Sequence, residues 1–192
     1  MPYYNGTHDT TARASESFEA ADWDTTGGFL TQSNDPASQP WWTRTSGGTP
    51  SSNTGPVAAH DGTYYLFTEA SSHFNEEFIV NVVTPLTASA DYSLELWYHL
   101  YGADMGTLSV EMADVGGSTW TTVWTIAGEQ QAASADPWAQ AVIPITPAAD
   151  STLRIFGLTG ADFKSDSKFT SSLWSPVISR YVLTYCFCLQ WR

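Results

Sequence analysis

Cysteine is almost missing from this chain. Only Cys186 and Cys188 occur, close to the end and one residue apart, a spacing poorly suited to a mutual bridge. No disulfide framework therefore staples the main body. Positive charge is scarce as well: seven Lys and Arg stand against twenty Asp and Glu, for a formal charge of -13, and the basic residues are scattered. Nucleic acid is excluded as a partner, because phosphate binding needs clustered basic side chains. The acidic excess reads as a solvated surface, compatible with divalent cations or a basic partner patch. No apolar run approaches the ~20 residues that cross a bilayer, and none near the N-terminus resembles an export signal. Membrane insertion is not expected, and Met1-Pro2-Tyr3-Tyr4-Asn5 reads as a translational start.

Apolar residues make up 42% of the 192 residues and aromatic ones 14%, enough to bury the core of one domain. Ser, Thr, Gly and Trp are plentiful, a composition of sheets and turns in which helices are not expected. Short candidate strands cover Ser17 to Ala20, Trp42 to Thr45, Tyr64 to Glu69, Phe78 to Val83, Tyr92 to Tyr101, Thr107 to Ala113, Thr121 to Ile126, Ala139 to Ile145 and Leu153 to Leu158. Turn formers such as Gly47-Gly48, Asp61-Gly62, Thr84-Pro85, Gly116-Gly117 and Asp136-Pro137 separate them. Such spacing predicts a sandwich of two antiparallel sheets.

The clearest alternation places Leu94, Leu96, Tyr98 and Leu100 on one face, with Ser93, Glu95, Trp97 and His99 on the other. It resumes at Leu108, Val110 and Met112 after a glycine-containing loop, which predicts a β-hairpin of these two strands. Residues 33–59, rich in Pro, Gly and Ser, are expected to form a long excursion covering one sheet. Residues 1–17 lack periodicity and read as an arm or linker. Near the C-terminus Tyr181, Leu183, Tyr185, Phe187, Leu189 and Trp191 alternate with other residues, as in a final apolar strand. Tyr185 and Phe187 are its candidate partner contacts.

The ordered pieces Phe18-Glu19, Gly28-Phe29, Trp42-Thr43-Arg44, Gly48-Thr49-Pro50-Ser51, Thr54-Gly55-Pro56, His60, Gly62, Tyr64 to Ser71, Leu96 to Gly102 and Gly106-Thr107-Leu108 resemble the MAM domain family. The resemblance spans about Phe18 to Asp166 and implies an all-β fold, a jelly-roll β-sandwich of two antiparallel sheets used for adhesion. It divides the chain into an arm at 1–17, a jelly-roll domain at 18–166 and a divergent C-terminal strand or tail at 167–192. Gly27 and Ser93 stand where the family usually has cysteines, so this is a variant without the family's stapling. Ser165-Asp166 is followed by Ser167-Lys168-Phe169-Thr170 where the family carries consecutive acidic residues.

Because some MAM domains hold a structural cation, the resemblance implies Ca2+ as the one candidate cofactor, with Glu19 and Asp61 as candidate ligands. Asp22 and Asp24 are possible substitutes for the missing late acidic residues, since calcium takes hard oxygen ligands. The four histidines, His8, His60, His73 and His99, stand apart in no metal motif, so zinc and nucleophilic catalysis are not expected. Glu76 and Glu77 are adjacent and point to opposite faces of a strand, which argues against a catalytic carboxylate pair. Trp41 and Trp42 are the candidate glycan-stacking pair, one of which is expected to be exposed.

These observations lead to a non-catalytic adhesion or protein-interaction module, no enzyme. The expected setting is the surface of a phage or virus particle, as a capsid decoration (cement) or fibre protein whose partners are its own copies or other virion subunits. The alternative is a secreted, extracellular or tail-associated carbohydrate-binding module.

Overall fold

The computed structural model describes residues 15–24, 29–32, 40–161 and 168–177, which form eleven strands and, among the described residues, no helix. One sheet runs β3 (Thr43–Thr45), β4 (Tyr65–Phe67), β11 (Lys168–Val177), β6 (Asp91–His99) and β9 (Ala139–Ile145), with β1 (Ser15–Glu16) also paired to β11. The other runs β2 (Leu30–Gln32), β5 (Glu77–Val82), β10 (Ser151–Leu158), β7 (Thr107–Asp114) and β8 (Thr121–Ala127). Every pairing is antiparallel, and the two sheets stack as a jelly-roll sandwich.

The period-two pattern sets which side chains enter the space between the sheets. Leu94, Leu96 and Tyr98 of β6 are buried, as are Phe78, Val80 and Val82 of β5 and Leu153 and Ile155 of β10. Within β10 the same alternation brings Gly157 to the inner face. A Cβ there would stand 2.9 Å from the Trp42 ring, so the missing side chain leaves the room this indole fills. Trp42 is 1% exposed and meets Phe78 edge-on, with ring centroids 5.8 Å apart. Gln32 ties the same edge of the sandwich together: its Nε2 donates to the Trp42 carbonyl at 2.8 Å, and the Trp42 N–H donates to its Oε1 at 3.0 Å. One buried amide thus supplies both halves of a missing ladder between β2 and the start of β3.

The expected hairpin does not form. β6 pairs with β11 and β9, while β7 pairs with β10 and β8, so the glycine-containing loop carries the chain from one sheet to the other. Leu100 and Met105 are buried within this crossover, and Gly106 passes so close to β10 that a Cβ would lie 1.8 Å from the Leu158 carbonyl oxygen. Alternation reports a buried face but is silent on the partner strand, because both neighbours of a sandwich bury their inner faces alike.

The N-terminal strand also lies slightly earlier than expected. After Glu16 the chain turns at Phe18, whose φ is 56°, and the Phe18 N–H donates to Glu16 Oε1 at 2.9 Å. Burial raises the Glu16 pKa above its ordinary value, against the backbone amides of Phe18 and Ser17 that lower it. β1 and β11 carry the sheets past both boundaries drawn at residues 18 and 166. The alternating segment Tyr181 to Trp191, with Tyr185 and Phe187, lies outside the described residues.

Replacing Gly157 by Ala should overpack the site and lower stability by about 1–3 kcal/mol. The midpoint of urea unfolding measures this, and an unchanged midpoint would show that Trp42 can yield.

Candidate interaction surface

The outer face of the six-stranded sheet carries the residues of odd parity in β6, and the long loop after β3 folds over part of it. Tyr65 Oη donates to the Gly47 carbonyl at 3.0 Å, and Trp138 Nε1 donates to the Ala58 carbonyl at 3.1 Å. Backbone bonds from Gly55 to Tyr101 and from Val57 to Ser134, both 2.9 Å, fix the loop against two neighbouring turns. Residues 33–39 of the expected excursion at 33–59 lie outside the described residues, and the part after β3 is a tied-down cover. Beneath it His99 is fully buried, its ring edge-on to Trp138 with centroids 5.3 Å apart. That burial reverses the solvent-facing place its parity alone would give it.

At the cover's margin His60 stacks on Trp97, with ring centroids 3.7 Å apart and planes 23° from parallel. The residue as a whole is exposed, yet one face of its ring rests on the indole. Desolvation lowers the His60 pKa from its ordinary 6.5, opposed by the Asp61 carboxylate that raises it. Beyond the stack the sheet is open: Gln140 Nε2 donates to Glu95 Oε2 at 2.9 Å, and Val142 is 58% exposed. Between the cover and the turn at Ser134 lies a depression of about 210 Å³, lined by Thr49, Ser51, Asn53, Val57, Tyr101 and neighbours without a charged side chain.

Trp41 and Trp42, just before β3, divide between outside and inside. Trp41 is 46% exposed, whereas Trp42 fills the core and offers no ring face to a ligand. As a candidate contact Trp42 is thus replaced by a structural role, because Gly157 opens the interior to it.

Glu19 lies beside the turn that follows His60. Its Oε1 accepts from the Thr63 and Tyr64 N–H groups at 2.6 and 2.9 Å, while Arg44 Nη2 donates to its carbonyl at 2.9 Å. The Arg44 guanidinium also covers the Tyr64 ring, 3.3 Å from the centroid. One Glu19 oxygen is thus committed to fastening the turn that holds Asp61 and Gly62. Among the described residues no group of three or more His, Cys, Asp and Glu gathers as a metal site.

The residues sequence reading passed over are Glu95 and Gln140. Only register makes them neighbours, through the Glu95–Val142 and Trp97–Gln140 pairs of β6 with β9. Period-two parity placed Glu95 and Trp97 together, but nothing in the sequence indicated which strand would lie beside them.

A family model described as MAM domain, meprin/A5/mu, matches residues 17–171. Among curated proteins, Neuropilin-1a of Danio rerio is 32% identical over 111 residues, covering 50% of this chain and 12% of that protein. MAM domain-containing glycosylphosphatidylinositol anchor protein 1 of Homo sapiens is 31% identical over 122 residues, 60% of this chain and 12% of its own length. MAM domain-containing protein 2 of Homo sapiens is 30% identical over 128 residues, 65% and 18% respectively. The chain thus spans less than a fifth of each of these relatives. Of solved structures, TmCBM61 in complex with β-1,4-galactotriose aligns with a TM-score of 0.43 at 15% identity, covering 77% of this chain and 88% of its own. The K2 cleaved adhesin domain of Lys-gingipain aligns with a TM-score of 0.46 at 14% identity, covering 81% and 96%.

The His60–Trp97 stack should leave a mark in titration. A lowered pKa means that the folded protein holds fewer protons on His60 than the unfolded chain does. The associated stability is complete above pH 6.5 and is lost as the pH falls through and below that value. In an NMR titration His60 should show a midpoint below 6.5, and Trp97→Ala should move it upward. A midpoint unmoved by that substitution would place the cause elsewhere.

Proposed function

The chain belongs to the MAM domain family, and from that membership we propose that it works as a non-catalytic module for adhesion and protein interaction. The single observation that carries this reading is the family match over residues 17–171. The site geometry supports it, since several polar side chains serve the scaffold. Glu19 fastens a turn, His99 sits under Trp138, and Arg154 pairs with Glu111 at 2.6 Å. What the fold presents outward is a rigid sheet face and loops anchored by backbone hydrogen bonds, a suitable platform for a partner.

The human relative bearing a glycosylphosphatidylinositol anchor in its name supports a surface or extracellular setting. A narrower form of the proposal places the module on a virion surface, where it would hold neighbouring subunits together as a decoration or fibre protein. Its only support is the same interaction role. A second reading, a carbohydrate-binding module, is favoured by Trp41, an exposed indole beside β3 onto which a sugar ring could stack.

One set of binding experiments separates these readings. Protein-coated beads should aggregate or capture a protein partner, and particles lacking the chain should co-sediment with it if the virion form holds. Inert beads and a Trp41 fluorescence quenched by oligosaccharides, with quenching lost in Trp41→Ala, would replace protein contact by glycan binding.

A structural Ca2+ near Glu19 and Asp61 is the cofactor this reading admits. Two carboxylates supply few of the six to eight oxygens calcium takes, so backbone carbonyls would have to complete the shell. If the ion is held there, EDTA should lower the Tm and added Ca2+ should restore it. An identical Tm in both conditions would remove calcium from the account.

A further inference from the structure

The depression of about 210 Å³ between the cover and the turn at Ser134 is lined by polar residues of no charge, among them Thr49, Ser51, Asn53 and Ser134, with Tyr101 as its aromatic residue. Among the described residues, the side chains of Asn53, Tyr101 and Ser134 make no hydrogen bond. An amide, a phenol and a hydroxyl, each able to donate and to accept, are thus left for water or for a ligand.

The loop is already in place before any ligand arrives. The Gly55 and Val57 N–H groups donate to the Tyr101 and Ser134 carbonyls, both at 2.9 Å, and Thr49 Oγ1 donates to the Thr54 carbonyl at 2.9 Å. These bonds fix the chain on both flanks of Asn53, whose φ is 59°, a left-handed backbone that asparagine tolerates better than most residues. Little conformational entropy then remains to be lost on binding.

Charge and shape narrow the ligand. Carboxylates in the neighbouring turns are committed to backbone amides: Asp136 Oδ2 accepts from the Ala132 and Ala133 N–H groups at 2.8 and 2.9 Å, and Glu129 Oε1 from the Gly102 N–H at 3.1 Å. In a chain of formal charge -13, with no Lys or Arg on the lining, an anion such as a phosphate or nucleotide is repelled. An extended peptide needs an open strand edge, but the Gly55 and Val57 donors are already spent. The volume lies below the ~300 Å³ at which pockets for drug-sized ligands begin, which leaves room for about one ring.

We therefore propose that this depression binds a single neutral sugar ring, at the end or on a branch of a glycan. Asn53 and Ser134 bond its hydroxyls, and Tyr101 gives apolar contact to its C–H face. The proposal rests on the carbohydrate-binding reading and gives it a site that does not include Trp41.

NMR titration of the full, isotope-labelled chain with the methyl glycosides of glucose, galactose, mannose and N-acetylglucosamine tests the site. At least one of them should shift the signals of Asn53, Val57, Tyr101 and Ser134 saturably, with a dissociation constant on the order of 1 mM for an isolated ring on an open surface. Asn53→Gly keeps the left-handed backbone and removes only the amide. It should weaken binding at least about tenfold, as should Tyr101→Leu, whereas Trp41→Ala should leave binding unchanged. Asn53→Gly keeps the test decisive if the Tyr101 variant does not fold. No saturable shift at these residues up to roughly 100 mM sugar, or binding that survives Asn53→Gly, would overturn the site. Shifts gathered on Trp41 and abolished by Trp41→Ala would overturn it while keeping the carbohydrate reading, and silence at every residue would remove both. The protein-interaction reading is decided separately, by bead aggregation or partner capture.

Discussion

Trp42 filling the space left by Gly157 is the contact on which the arrangement of the two sheets depends. The indole leaves the start of β3, on one sheet, and reaches the inner face of β10 in the middle of the other. With a side chain at 157 the ring could not seat at its present depth. Gln32 completes the closure by bonding both backbone groups of Trp42, so the side of the sandwich with the shortest edge strands is sealed by one ring and one amide. A chain whose main body lacks cysteine holds that side by packing and hydrogen bonds where a disulfide framework is unavailable.

The opposite side is built differently. There the edges are longer and uncharged, and Trp124 lies half-buried with its ring 5.7 Å from that of Tyr98. The two strands carry no charged residue of their own, while Glu95 bonds to Gln140 of β9 and Asp91 to Thr146 just after it. Placing function on the outer sheet face requires no catalytic geometry, in keeping with a fold that serves as a support for contacts.

Much of the fold was legible from residue order. The strand expected at Ala139 to Ile145 has those same bounds, and those at Phe78 to Val83, Thr107 to Ala113 and Thr121 to Ile126 differ by a residue or so at their ends. Period two is a local property of strands, which explains this success. β2 was missed because three residues give no measurable period, and β11 was placed only within a divergent strand or tail at 167–192, because Lys168 to Val177 mixes polar and apolar residues without regular alternation. The candidate site was less legible. Trp41 and Trp42 were found as a pair, but their inside and outside places follow from Gly157, more than a hundred residues away. The Glu95–Gln140 and His60–Trp97 contacts likewise join distant segments that only register and loop path bring together.

Sequence by itself determined the class of fold, the faces buried along most strands, the family resemblance and the acidic, nearly cysteine-free character of the chain. These depend on composition, local periodicity and ordered motifs, all of which are written along one dimension. Tertiary structure decided that the strands flanking Gly102 belong to opposite sheets and that His99 is buried despite its outward parity. Each of those outcomes depends on which strand or loop lies alongside, and neighbours in a sandwich are chosen by long-range packing that local alternation does not encode.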